Sequence, residues 1–356
     1  MNSHETYMHR CLQLAALASG HVAPNPMVGS VLVHNNRIIG EGYHMQYGQP
    51  HAEVNCIASV KEADKQLINQ STLYVSLEPC AHFGKTPPCA DLIVEKKIPK
   101  VVVGCRDPFA QVNGKGIEKL QAAGVEVVMD VLEKECRELN KRFFTFHTRH
   151  RPYVVLKWAQ TADHYIANLT TERLTISNAY TARLVHKWRS EEAGIVVGTN
   201  TALNDDPQLN TRHWPGKNPV RIVVDMNLRL PAWLKLFDGA APTIVFNKHK
   251  HTLPFEKLSG YNLPGVHYYQ VTEDVNLVHQ LLNGLYHLGV QSILVEGGSQ
   301  LLQSFIDEGL WDEAKVITNE GLFIGAGLPA PQLQHATLIH TEKILSDSLQ
   351  TFLPKE

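Results

Sequence analysis

The chain has 356 residues, enough for two domains at about 150 residues each. Its 44% hydrophobic and 19% charged residues, with only 24 glycines and 19 prolines, exclude disordered and fibrous classes. Thirty-three Lys and Arg against 35 Asp and Glu leave a formal charge of -2, so there is no bulk field to hold a polyanion or an anionic membrane, and no nucleic-acid partner is expected.

Residues 1–10 are polar, and no apolar run approaches the roughly 20 residues that cross a bilayer, so a cytoplasmic location without membrane contact is expected. Residues 5–19 carry Met8, Cys11, Leu12, Ala15 and Ala16 at helical spacing. The Ala23-Pro24-Asn25-Pro26 step breaks that helix, and residues 28–33 with Ile38-Ile39 flank Asn35-Asn36 as a hairpin. Helices are predicted over 52–60, 90–95 and 117–123, with strands over 73–77, 101–104 and 125–129. One charged helix is expected over 133–150, stopped by Arg151-Pro152, which places a domain boundary between 1–150 and 151–356. Strands then follow over 153–157, 195–197, 222–225, 243–246 and 293–295. Helices are predicted over 178–191, over a segment marked by Val275, Val278, Leu281, Leu282 and Leu285, and over 301–306. Strands separated by helices of this length predict an α/β fold, each sheet largely parallel and covered on both faces.

The sharpest motif is His51-Ala52-Glu53, followed by Glu78-Pro79-Cys80 and then Cys89. One imidazole and two thiolates suit Zn2+ and leave a fourth tetrahedral position for water, unless His82 closes it. Zinc lowers the pKa of such a water toward about 7, and Glu53, two residues past His51, can carry its proton to departing ammonia. This is the zinc-deaminase pattern with a non-ligating Glu, except that residues 81–88 separate the cysteines where two residues are usual. His51 and Cys89 each open a predicted helix, whose dipole favours a thiolate. Cys11, Cys56, Cys105 and Cys136 are expected to be structural. A zinc-stabilised binding protein without turnover would use the same three ligands; Glu53→Gln separates it from an enzyme.

The stretches Ala23-Pro24-Asn25-Pro26-Met27-Val28-Gly29, Gly40-Glu41-Gly42-Tyr43-His44, Pro50-His51-Ala52-Glu53-Val54 and Glu78-Pro79-Cys80-Ala81-His82-Phe83-Gly84-Lys85-Thr86-Pro87-Pro88-Cys89 resemble the bifunctional riboflavin-biosynthesis deaminase/reductases, and Asp107-Pro108 and Asn113-Gly114 also fit. The resemblance implies a cytidine-deaminase-like α/β/α first domain acting on a small-molecule pyrimidine phosphoribosylamine, 2,5-diamino-6-(5-phosphoribosylamino)pyrimidin-4-one. Asn25, His44, His82 and Lys85 match the positions that hold its base and ribose phosphate. Lys85 is a point charge suited to phosphate, and Asn25 can donate and accept along a heterocycle edge.

No G-x-G-x-x-G follows a strand, which excludes a Rossmann fingerprint. Instead Val295-Glu296-Gly297-Gly298-Ser299 joins a strand to a helix, where glycines let backbone N–H groups approach a phosphate. With Val155-Leu156-Lys157, Leu184-Val185-His186-Lys187-Trp188-Arg189 and the run from Gly198-Thr199-Asn200 to Asn210-Thr211-Arg212, it resembles the family's reductase domain. That implies a dihydrofolate-reductase-like α/β fold in which NADPH reduces the ribosyl group of the deaminated product to ribityl, hydride arriving at C1′. Position by position, Thr201 and Asp205 match cofactor contacts. Gly298, Ser299, Gln300, Leu301, Leu302, Gln303 and Ser304 match the cofactor phosphate cradle, and Arg189, Leu209, Arg212 and Glu296 match substrate contacts. Lys157 and Asp205 are the candidates to flank the transferred hydride, and Arg189 and Arg212 can hold the substrate phosphate bidentately. The second domain's resemblance also implies a homodimer or higher homo-oligomer. Two positions depart from the pattern: His164 follows Asp163 where an Asp-Gly turn is usual, and Leu174 stands where an indole would lie against the nicotinamide. They leave open a chain that keeps only the deaminase, its second domain serving dimerisation.

Overall fold

Buried strands alternate with short helices along the chain, and the computed structural model, which describes residues 3–83, 87–110, 112–170, 174–253 and 264–355, places them in two compact units, Met1–Arg149 and His150–Glu356. The first unit runs α1 (Ser3–Ala16), β1 (Gly29–His34), β2 (Arg37–Tyr43), α2 (Ala52–Ala58), β3 (Thr72–Leu77), α3 (Cys89–Glu95), β4 (Lys100–Cys105), α4 (Lys115–Ala122), β5 (Glu126–Val128), α5 (Glu133–Leu139) and α6 (Lys141–Arg149). Its sheet has the order β2-β1-β3-β4-β5; β1 is antiparallel to β2 and β3, and β4 is parallel to β3 and β5. The sheet is therefore mixed, because the two-residue turn at Asn35-Asn36, both with positive φ, forces its neighbours antiparallel.

Alternation along the central strands fills both faces. Leu73 and Val75 of β3 join Val101 and Val103 of β4 in one core, while Tyr74 and Val102 face another with Met8 and Cys11 of α1, which Leu77 and Cys105 join from the strand ends. The expected single helix over 133–150 is two helices, broken at Asn140. Its side-chain amide donates to Met27 O at 2.9 Å and its Oδ1 accepts from Met27 N at 2.8 Å, a local bond set that competes with helix continuation. A 3-10 helix over Glu62–Gln70, with no buried residue, lies outside the helices expected from the sequence.

The second unit runs β6 (Tyr153–Thr161), β7 (Tyr165–Ala167), α7 (Ala179–Glu191), β8 (Gly194–Gly198), α8 (Thr199–Asp205), β9 (Val220–Val224), β10 (Thr243–Asn247), β11 (Val266–Gln270), α9 (Leu277–His287), β12 (Ser292–Glu296), α10 (Ser299–Asp307), β13 (Glu313–Asn319), β14 (Leu328–Pro329), β15 (Ala336–Ile344) and β16 (Asp347–Pro354). Nine strands form one sheet in the order β11-β10-β9-β8-β12-β6-β13-β16-β15; the first seven are parallel and the last two antiparallel. Val154, Leu156 and Val196 face one core, and Tyr153, Val155, Ile195 and Val197 the other. Val275, expected on the face of the helix that became α9, is 49% exposed and precedes it: Asn276 caps the helix, its Oδ1 accepting from Val278 N at 2.8 Å. Among the described residues no helix is long and apolar enough to cross a membrane.

Candidate active sites

In the first unit the turn into α2 makes His51 the residue just before the helix and places Glu53 in its first turn. Cys80 follows the end of β3, and Cys89 opens α3. His51 Nδ1 lies 3.6 Å from Cys80 Sγ and 3.3 Å from Cys89 Sγ, and the ligand atoms of the three residues lie within 4.8 Å of one another. A hydrogen bond from Cys89 outweighs burial and, with His51, draws Cys80 down to about 4, while the same contact and burial push Cys89 up. The Cys89 backbone N–H also donates to Cys80 Sγ at 3.4 Å. One ring nitrogen and two sulfurs, one of them readily a thiolate, fit a zinc ion. His82 does not join this group; its ring packs against Phe109 at 6.2 Å between centroids, and its buried Nδ1 meets no hydrogen-bond partner among the described residues.

Glu53 is only 3% exposed. Burial raises its pKa, the Cys80 charge adds to that, and His51 opposes it. Beside the His51 ring, 5.4 Å away between centroids, His44 has Nδ1 3.1 Å from Pro50 O and Nε2 3.1 Å from Asn25 Nδ2. A carbonyl only accepts, so Nδ1 carries the proton, and Nε2 of the neutral ring takes one from the Asn25 amide. Burial first, then the nearby His51, lowers the His44 pKa and keeps the ring neutral. Lys85 lies outside the described residues.

Glu78, a motif residue with no role assigned from sequence, ties the loop after β3 to the start of α4. Its buried carboxylate accepts from the backbone N–H of Asp107 (3.3 Å), Gly114 (3.0 Å), Gly116 (3.0 Å) and Ile117 (3.4 Å). It thereby fastens the start of α4 to the segment that bears Cys80. Gly116 is required there, because a Cβ would stand 1.9 Å from Pro79 O. Asp107 is pushed up to about 7 by burial, reinforced by the charges of Glu78 and Cys80.

In the second unit, parallel pairing sets Glu296 at the end of β12 beside Lys157 of β6. Arg189 of α7 grips Glu296 with a fork, Nε to Oε1 at 2.9 Å and Nη2 to Oε2 at 2.6 Å, while Nη1 donates to Asn210 O at 3.2 Å. Burial would raise the Glu296 pKa, but Arg189 and Lys157 outweigh it and hold the carboxyl at about 2. Burial lowers the Lys157 pKa, partly offset by Glu296. Arg212 is exposed, its Nη1 donating to Asn210 Oδ1 at 2.9 Å. The Leu209 side chain lies in the core, 2% exposed, so what it can offer a ligand is backbone held at φ 49°.

Directly after Glu296, Gly297 and Gly298 adopt φ 103° and 76°. A Cβ at Gly297 would stand 3.1 Å from Thr201 Cγ2, and one at Gly298 3.3 Å from Thr201 Oγ1, so the glycines keep open a cradle between the α10 N-terminus and Thr201 of α8. The first α10 amides, at Ser299, Gln300 and Leu301, have no helical acceptor and make this cradle fit a dinucleotide phosphate. Farther along α10, Leu302 is core, Gln303 bonds Asp307 and Gln332, and Ser304 Oγ donates to Gln300 O. Asp205 closes α8 on the surface. His164 takes φ 63°, the conformation that an Asp-Gly turn would give a glycine, and Gln160 Nε2 lies 3.0 Å from its Nδ1.

Comparison with known proteins falls on the same division. Residues 1–105 match the cytidine and deoxycytidylate deaminase zinc-binding region, and residues 152–347 the RibD C-terminal domain, a span that includes His164 and Leu174. The riboflavin biosynthesis protein RibD of Aquifex aeolicus is 42% identical over 328 residues, 90% of this chain and 89% of its own. That of Escherichia coli is 32% identical over 322 residues, 87% of this chain and 85% of its own. A crystal structure of a diaminohydroxyphosphoribosylaminopyrimidine deaminase/5-amino-6-(5-phosphoribosylamino)uracil reductase from Thermotoga maritima is similar with a TM-score of 0.85 at 35% identity, covering 99% of each chain. RibD of Acinetobacter baumannii gives 0.89 at 30% identity, again over 99% of each. Fold and site thus define a bifunctional enzyme of riboflavin biosynthesis, a zinc-dependent deaminase joined to an NADPH-dependent reductase. The chain belongs to the RibD family.

Proposed function

We propose that residues 1–150 hydrolytically deaminate 2,5-diamino-6-(5-phosphoribosylamino)pyrimidin-4-one and that residues 151–356 then reduce the ribosyl group of the product to ribityl. The observation that carries this reading is the convergence of His51 Nδ1 with the Cys80 and Cys89 sulfurs two residues from a buried glutamate. His51, Cys80 and Cys89 would hold a zinc ion, which would supply the Lewis acidity that lets water be deprotonated near neutral pH. Glu53 takes that proton and delivers it to the leaving nitrogen, so that amine and water become carbonyl and ammonia; burial, by raising its pKa, suits it to carry a proton both ways. Asn25, whose NH2 is engaged by His44, presents Oδ1 to the base, with His82 beside it, and Lys85 meets the phosphate.

In the second unit Thr201, Asp205 and the Gly298–Ser304 turn hold NADPH, the phosphate contact falling on its first amides. Lys157 and Asp205 would flank the sugar C1′, to which bound NADPH would supply hydride. Arg212 is the cation presented to the substrate phosphate, since the Arg189 fork is engaged by Glu296 and Arg189 acts on that phosphate through its charge alone. Leu209 contributes backbone. The assembly we propose is a cytoplasmic homodimer, supported by the resemblance of the second domain.

Mass spectrometry of the pyrimidine after incubation with zinc-loaded protein tests the reading. Deamination adds about one mass unit without NADPH, and reduction a further two or so only with it. Zinc-stripped protein should give neither from the diamino substrate, yet still reduce supplied deaminated product. No mass change with zinc bound would reject the substrate.

A further inference from the structure

Three residues before Arg189 on α7, and so on the same helix face, lies His186, only 4% exposed. Its Nδ1 is 2.7 Å from Asn210 O, the carbonyl that Arg189 Nη1 also reaches. Because that oxygen can only accept, the ring proton sits on Nδ1. Asn210 is the centre of the segment that carries Leu209 and Arg212: its Nδ2 donates to Gln208 Oε1 at 3.4 Å, and its Oδ1 accepts from Arg212 Nη1 at 2.9 Å. Just beyond it, Asn218 Oδ1 accepts from both Thr211 N and Thr211 Oγ1, and the His213 ring meets His186 edge-on at 4.7 Å between centroids.

We propose that His186 is a positioning residue of the reductase: by donating Nδ1–H to the Asn210 carbonyl it holds the 208–212 segment so that Asn210 Oδ1 aims the Arg212 guanidinium at the substrate phosphate. This rests on the reading of Arg212 as a substrate contact given above. The surroundings suit a neutral donor. Burial, followed by the positive charges of Arg189 and Arg212 and by His213, brings the ring down to about 4, so it stays neutral in the working range. Arg189 alone does not replace it, since its Nε and Nη2 fork is fixed on Glu296 and its contact to Asn210 O, at 3.2 Å, is the longer one.

The test uses the full-length zinc-loaded chain and supplied deaminated substrate. His186→Leu should raise the reductase KM for that substrate about tenfold with kcat within about threefold, the size of one lost buried hydrogen bond. His186→Asn, whose Nδ2 can reach the same carbonyl, should recover most of the loss, and the deaminase rate should move in neither variant. Leu and Asn variants that behave alike would reduce His186 to a space-filler and overturn the proposal. Arg212→Gln separates the two layers. A raised KM in Arg212→Gln with none in His186→Leu overturns the positioning role alone, whereas no change in Arg212→Gln overturns the substrate role of Arg212 and the proposal with it. Nitrogen NMR of the unmodified chain checks the claim independently of any variant's folding: the proposal requires the Nδ1–H tautomer, and a His186 proton on Nε2 overturns it.

Discussion

Glu53 and glutamine differ by one ionisable oxygen, and in a pocket that leaves 3% of the residue exposed the substitution changes chemistry without changing volume. Glu53→Gln should lower deamination by about a hundredfold to ten-thousandfold, the range of a lost general acid-base, while zinc content and NADPH-dependent reduction stay at parental values. Retained turnover would remove Glu53 from the proton path. Glu296 gives a signed pH effect. Its folded pKa, about 2, lies below the ordinary 4.5, so its contribution to stability is full above about 4.5 and is lost as pH falls toward 2. The unfolding temperature of Glu296→Gln should accordingly fall less steeply than that of the parent across this window, and equal slopes would show that the ion pair does not carry the depression. At this scale the zinc ligands were legible because each bears chemistry at a recognisable spacing. The occupation of Arg189 was not, because its partner Glu296 lies 107 residues away, at the end of β12.

Helix ends show how consistently local chemistry is used. After α9 and α10, Gly289 and Gly309 turn left-handed and the next amide, of Val290 or Leu310, returns to a carbonyl five residues back. Gly124 does the same after α4, with Val125 bonding Leu120 O. After α3 the motif recurs, Ile98 N reaching Ile93 O at 3.2 Å, but Lys97 occupies the left-handed position at φ 53° with an exposed side chain. Lys97→Gly should stabilise the first unit by ~1 kcal/mol, read by denaturant unfolding; no change would mean that the backbone strain is relieved elsewhere. The elements missed from sequence lack such signals. Along β15 seven consecutive residues are exposed, so no period of two marks it as a strand. The break between α5 and α6 depends on Asn140 meeting Met27, 113 residues earlier. The parallel core strands, by contrast, carry short apolar runs, Ile222-Val223-Val224 and Ile293-Leu294-Val295, that could be read directly.

At the scale of the molecule, the sequence pattern conveyed two α/β units and five strands of the second, but not β11, β13, β15 and β16 of its sheet nor the order across either sheet, because lateral neighbours are chosen by packing rather than by adjacent residues. In the first unit successive elements largely lie side by side. In the second, the opening strand β6 is flanked by β12 and β13. Synthesis therefore treats the two units differently. The first has all its strands once residue 128 is made, whereas β6 waits for Glu313–Asn319, on the order of ten seconds or more at usual elongation rates. Ribosome-stalled chains ending before residue 292 should show a protease-resistant first unit followed by a sensitive tail, and early protection of that tail would contradict the dependence. The reductase half is thus born as an open-edged intermediate on every round of translation, and the interval before its sheet can close is when it is most exposed to aggregation and most in need of a chaperone.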